Sequence, residues 1–132
     1  MECRDRRIGG AVVVDVEGKL VGGDDSPGFH GLIRRLLGEG EKRFVINLEK
    51  APWATSQGIG LLIGAFTSVT NAGGKLVLAQ ANGRIHETLR VTRLVLIFET
   101  FATLEAAIVC VTAPGDDGGT ARVARARAIT TA

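Results

Sequence analysis

The chain has 132 residues, too few for two domains, and one domain of this size buries roughly two-thirds of its unfolded surface. Apolar residues make up 45%, with no Tyr and a single Trp, so a core must be built from Val, Leu, Ile and Ala. The 16 basic and 14 acidic residues nearly cancel, which excludes the basic footprint of a nucleic-acid or membrane-surface binder, and Cys3 and Cys110 form no Cys-x-x-Cys metal or redox motif.

In chain order, Cys3 to Ile8 reads as a short, charged strand. Gly9-Gly10 supplies a tight turn, and the β-branched run Ala11 to Val16 is its partner. Gly18 to Asp25 reads as a loop. Ser26 is a candidate cap, Pro27 suits a first helical position, and Leu32, Ile33, Leu36 and Leu37 recur at helical spacing until Gly38 and Gly40. Arg43 to Leu48 is a strand whose unbroken apolar run predicts cover on both faces.

After the loop from Lys50 to Thr55, a helix is predicted from about Gln57 to Asn71, with Ile59, Leu62, Ile63, Phe66 and Val69 inward. Gly73-Gly74 ends it. Lys75 to Ala79 is a strand, Asn82 opens a third helix with Ile85 and Leu89 inward, and Leu94 to Phe98 is predicted as a strand. Thr100 or Thr103 caps a final helix through Ile108.

Strands alternating with helices predict an α/β fold: a mostly parallel sheet with an antiparallel edge strand, packed with about four helices. One domain is expected over 1–112 and a disordered tail over 113–132, which is rich in Gly, Ala, Arg and Thr. The start lacks an apolar leader, and the most apolar stretch, 58–66, is too short to span a bilayer. A cytoplasmic protein with no membrane insertion is expected.

The most informative stretch is Trp53-Ala54-Thr55-Ser56-Gln57-Gly58-Ile59-Gly60, which joins a buried strand to an apolar helix. Ser56 is placed to cap that helix, while Gly58 and Gly60 permit close helix–sheet packing. A hydroxyl at a helix start is also open to a kinase, and a phosphate there adds roughly −1.5 to −2 charges. The helix N-terminus tolerates that charge, whereas an acidic docked partner does not. Both readings of Ser56 stand on the residues alone. Trp53 has two as well, as a core residue or as an interface anchor.

Other chemistry is weaker. Gly58, Gly60 and Gly64 depart from dinucleotide-fingerprint spacing, and Gln80 stands where a ribose-binding acid is expected, so no cofactor is implied. His30 and His86 read as surface side chains, no serine lies in a Gly-x-Ser-x-Gly elbow, and no metal or catalytic constellation is visible, so an enzyme is not expected. Arg34-Arg35 and Arg90 with Arg93 read as solvated helix faces or contacts for an acidic partner.

From about Ala11 to Val111 the sequence resembles the STAS domain family, whose bacterial members include anti-sigma-factor antagonists. Val12 to Leu20 resembles its early strand ending in Gly-x-Leu, and Phe44 to Leu48 its central strand. Ser56, Gly58 and Gly60 resemble its Asp-Ser-x-Gly-x-Gly helix start, and Asn71 to Leu76 its Gly-Gly-x-Leu turn. Val91 to Leu94, Ile97-Phe98 and Leu104 to Ala107 resemble its closing strand and helix. Thr55, Gln57 and Val21 depart from the pattern, replacing an acid, a small residue and an Asp. The resemblance implies a regulator that binds an anti-sigma factor, often itself a serine kinase. Phosphorylation at Ser56, or alternatively Thr55, would switch that binding off, and a phosphatase would restore it. The binding surface would centre on Trp53, Thr55, Ser56, Gln57, Gly58, Ile59 and Gly60. Other roles implied by the resemblance are a homo-oligomeric stress-signalling scaffold and an accessory subunit of a lipid transporter.

Overall fold

The computed structural model describes residues 2–21 and 26–112, with side chains excepted at 26 and 27. The predicted cap at Ser26, the Asp24-Asp25 pair and the predicted tail 113–132 lie outside what is described. Within it run β1 (Glu2–Ile8), β2 (Ala11–Glu17), α1 (Ser26–Gly38), β3 (Arg43–Lys50) and α2 (Ser56–Asn71). They are followed by β4 (Lys75–Ala79), α3 (Gly83–Val91), a 3-10 turn (Leu94–Leu96), β5 (Thr100–Phe101) and α4 (Leu104–Thr112).

The strands form one sheet in the order β1-β2-β3-β4-β5. β1 and β2 pair antiparallel across Gly9-Gly10, both at positive φ (58° and 90°), the conformation that a two-residue turn needs and glycine supplies at no steric cost. The remaining pairs are parallel. Each crossover from β2 onward steps to the next strand in the same direction. Right-handed connections therefore lay α1, α2 and α3 on one face, and α4, which follows the last strand, covers the other.

The alternation of side chains agrees with this. Val12, Val14, Val16, Phe44, Ile46, Leu48, Leu76 and Leu78 pack under α1, α2 and α3, while Ala11, Val13, Val45, Val77, Ala79 and Phe101 pack under α4. Both sides of β3 are thus buried, which is why its apolar run shows no alternation. Cys3 packs on the first of these cores and Cys110 belongs to the second.

α4 covers only part of its face. Beyond it, the same alternation brings Asp15 and Asn47 into a polar trough of about 460 Å³, lined also by Arg4, Arg6, Glu17, Glu49 and Lys50. Asp15 is satisfied within it. Arg6 Nε donates to Asp15 at 2.7 Å and Asn47 Nδ2 donates to Asp15 at 2.8 Å; the first of these bonds holds the Arg6 guanidinium above its ordinary pKa.

Three expectations are corrected. Leu94–Leu96 is a 3-10 turn, not a strand; Arg93 enters it at φ 63° and Leu96 is 80% exposed, so this run has no sheet neighbour to pair with. The last strand is the short β5. The inward face of α2 is carried by Gly58, Ile59, Leu61, Leu62, Ala65 and Val69, while Ile63 stands 38% exposed. His30 is not simply a surface side chain. Its Nε2 is buried with no hydrogen-bond partner among the described residues, and a Cβ at Gly64 of α2 would lie 2.7 Å from that atom.

α4 is tied to the sheet by a buried charge. The Glu99 carboxylate lies 3.5 Å from Lys75 Nζ and accepts from Cys110 Sγ at 3.3 Å, with the two charged side chains only 2% and 11% exposed. Removing one partner from such a pair leaves an uncompensated charge in a dry site. Lys75→Met is expected to lower stability by about 3–5 kcal/mol in urea titrations, and Lys75→Met with Glu99→Leu to recover most of the loss. Equal destabilisation in single and double variants would show the pair to be unimportant.

Candidate functional site

Parallel β2 and β3 both end at one edge of the sheet, and past their ends the chain keeps pairing. After a register irregularity between Asp15 and Glu17, Gly18 N–H donates to Lys50 O (3.0 Å). Leu20 N–H then donates to Trp53 O (3.0 Å), and Thr55 N–H donates to Leu20 O (3.0 Å). An isolated parallel bridge joins Leu20 to Ala54. The segment before α2 is therefore a ladder rung and not a slack loop, which fixes where the helix begins.

A second clamp comes from β4's far end. Asn82 Nδ2 donates to Ala51 O (3.2 Å) and Pro52 O (2.8 Å), and its Oδ1 accepts from Ile85 N–H (3.0 Å). One side chain thus caps α3 and holds the approach to α2. Sequence reasoning finds the capping half of this role, since Asn is a preferred N-cap. The clamp depends on a residue about 30 positions away and left no local signal.

At the start of α2 the cap is Thr55, not Ser56. Thr55 is extended (φ −91°, ψ 173°); its Oγ1 accepts from Gly58 N–H at 3.1 Å and donates to Val21 O at 3.2 Å. Thr55 is half-buried and its hydroxyl is engaged twice. Ser56 is the first helical residue and is exposed, as are Gln57 and Gly60.

The two glycines differ. A Cβ at Gly58 would lie 1.7 Å from the Leu20 carbonyl oxygen, so the first turn of α2 rests directly on the Gly18–Val21 backbone. A Cβ at Gly60 would meet nothing within 4 Å. The expectation that both serve close packing holds for Gly58 and is corrected for Gly60. Ile59 points into the core at 3% exposed. Gly58 and Ile59 thus support the surface from beneath, and Ser56, Gln57 and Gly60 form it. Trp53 is half-buried beside them, with Lys19 Nζ 5.5 Å from its ring centroid, close enough for a cation–π contact. Among the described residues no group of His, Cys, Asp and Glu is placed to hold a metal ion, and no helix is long and apolar enough to cross a membrane.

These placements predict opposite outcomes for two similar substitutions. Gly58→Ala is expected to destabilise the domain by about 3 kcal/mol through the clash with Leu20. Gly60→Ala is expected to stabilise it by about 0.5–1 kcal/mol, because an exposed helical glycine loses backbone freedom for no packing gain. Thermal unfolding of both variants checks this; similar melting temperatures would contradict the geometry.

The STAS domain matches the sequence over residues 3–107. Among solved structures, an anti-sigma factor antagonist from Mycobacterium paratuberculosis is similar with a TM-score of 0.73 and 19% identity, over 83% of this chain and 92% of that one. The Bacillus cell fate determinant SpoIIAA in its phosphorylated form gives 0.63 and 19%, over 81% and 96%. A sulfate transporter family protein from Wolinella succinogenes gives 0.59 and 16%, over 95% and 91%. No curated protein matches the sequence. At these identities the structural likeness speaks for the fold, and with the sequence match over most of the chain it follows that this protein belongs to the STAS domain family.

Proposed function

We propose that the chain is a regulatory protein-binding domain of the anti-sigma-factor antagonist type, whose partner is an anti-sigma factor acting as a serine kinase. Phosphorylation of Ser56 switches the binding off and a phosphatase restores it. The carrying observation is the division of labour at the start of α2. Thr55 supplies the cap and Gly58 the packing, so the exposed Ser56 hydroxyl has no structural task within the described residues. The solved structure of a similar fold in a phosphorylated form supports the same reading.

The energetics favour a switch that spares the fold. A negative charge in the first turn gains about 0.3–1 kcal/mol from the helix dipole. The same charge facing an acidic group of a docked partner is repelled. Near a protein surface two unit charges 4 Å apart interact by about 4 kcal/mol, and every 1.4 kcal/mol is roughly tenfold in affinity. The free domain thus accepts the phosphate and the complex does not. Thr55 is the poorer acceptor, because a phosphate on its Oγ1 would disrupt the bonds to Gly58 and Val21.

The family's acid before the serine is replaced by Thr55, and the geometry accounts for that exchange, since Asp and Thr both cap helices. The expected outcome is that Ser56→Asp binds the anti-sigma factor at least about tenfold more weakly than Ser56→Ala, with unfolding midpoints within about 1 kcal/mol of each other. Calorimetric titration of both variants measures the difference, and mass spectrometry after incubation with the kinase and ATP locates the phosphate. Equal affinities, or phosphate on Thr55 alone, would refute the assignment.

A further inference from the structure

Large apolar side chains stand in solvent on the switch helix and around the end of α3: Ile63 on α2 is 38% exposed, Val91 at the end of α3 is 66% exposed, and Leu96 and Ile97 after it are 80% and 46% exposed. The Phe66 ring meets Phe98 edge-on, with centroids 5.3 Å apart, which joins α2 to the segment that follows α3. Ile63 lies one turn before Phe66 on the same flank of α2, the flank that meets Phe98. Towards the N-terminus the same helix surface continues through Gly60 to Ser56, at spacings of three and four residues.

The rim of this band is basic. Over 83–98 the charged side chains are Arg84, Arg90 and Arg93 against Glu87 alone, with His86 beside them, and all are exposed. Glu87 accepts from Arg90 Nε at 3.1 Å, which neutralises one guanidinium and leaves the positive excess to the others. A second copy of this chain would bring the same arginines against one another.

We propose that the band from Gly60 through Ile63 to Val91, Leu96 and Ile97 is a docking surface for an amphipathic helix of a partner protein, with its apolar stripe flanked by Asp and Glu. Apolar side chains left in solvent on α2 and around the end of α3 suit the i, i+3, i+7 face of such a helix, and the arginine excess over 83–98 selects its flanks. The proposal rests on the reading of the chain as a switched protein binder and adds the partner's chemistry: a helix drawn in by Arg84 and Arg93 is one that a phosphate on Ser56 repels.

The test titrates the isotope-labelled protein with a synthetic helical peptide of about 18 residues, a leucine stripe flanked by glutamates, and with its lysine-flanked counterpart, read by amide chemical shifts. The glutamate peptide is expected to shift the amides of Ile63, Val91, Leu96 and Ile97 and to bind roughly tenfold tighter than the lysine peptide. Leu96→Asp with Ile97→Asp, both at exposed positions and therefore compatible with folding, removes those shifts. Arg84→Glu with Arg93→Glu inverts the preference. Equal binding of both peptides, no titration by the glutamate peptide, or a dimer in sedimentation that Leu96→Asp dissolves each overturns the proposal. Binding lost in the Leu96→Asp, Ile97→Asp variant but unchanged in Ser56→Asp supports the surface and refutes the switch. Binding kept in the former and lost in Ser56→Asp refutes the surface.

Discussion

The architecture of the site depends on one contact, the seating of Gly58 on the carbonyl of Leu20. No side chain larger than hydrogen fits there, so the first turn of α2 approaches the Gly18–Val21 strand extension as closely as backbone allows. That approach lets Thr55 reach both Gly58 N–H and Val21 O with a single hydroxyl. With the cap and the packing assigned to Thr55 and Gly58, the two residues between them, Ser56 and Gln57, are turned outward. Their exposure is a consequence of their neighbours' tasks and not of a loose loop.

Much of the fold is legible in the sequence because its signals are local. Gly9-Gly10 marks its hairpin through the positive φ that only such residues adopt easily, and the unbroken apolar run of β3 follows from burial on both faces. The segment Leu94 to Phe98 misleads for an instructive reason. Its composition is that of a buried strand, yet Arg93 turns left-handed and Leu96 and Ile97 are presented to solvent while Phe98 is buried, which no propensity registers. At the site, the choice between Ser56 and Thr55 as cap turns on one residue, inside the ordinary uncertainty of helix ends. The Asn82 clamp and the Leu20 seat are tertiary, and no local pattern carries them.

Membership in the family does not by itself select a function. The same fold is shared with an anti-sigma factor antagonist and with a protein of a sulfate transporter family, and function lives in sites that folds merely present. What distinguishes this chain is the character of the presented surface. In the polar trough beyond α4, Asp15 is satisfied by Arg6 and Asn47. The α2 side has an unemployed hydroxyl, a glycine with no packing reason to be one, and apolar side chains in solvent. Unused features of this kind are costs to the isolated domain, and under the proposed function a binding partner would offset them.

An exposed helical glycine illustrates the argument most sharply. Gly60 weakens α2 by about 0.5–1 kcal/mol relative to alanine without relieving any clash among the described residues. Its neighbours along the helix surface are Ser56, the proposed site of the switch, and Ile63, which carries exposed apolar area. A bare backbone between the two lets a docked helix approach more closely than any side chain would allow, and closeness is what makes a charge at Ser56 felt. Because electrostatic repulsion falls with distance and with the water admitted between the charges, the gap at Gly60 would set how strongly one phosphate acts. On this account the glycine is kept for the strength of the switch, at the expense of the helix that bears it.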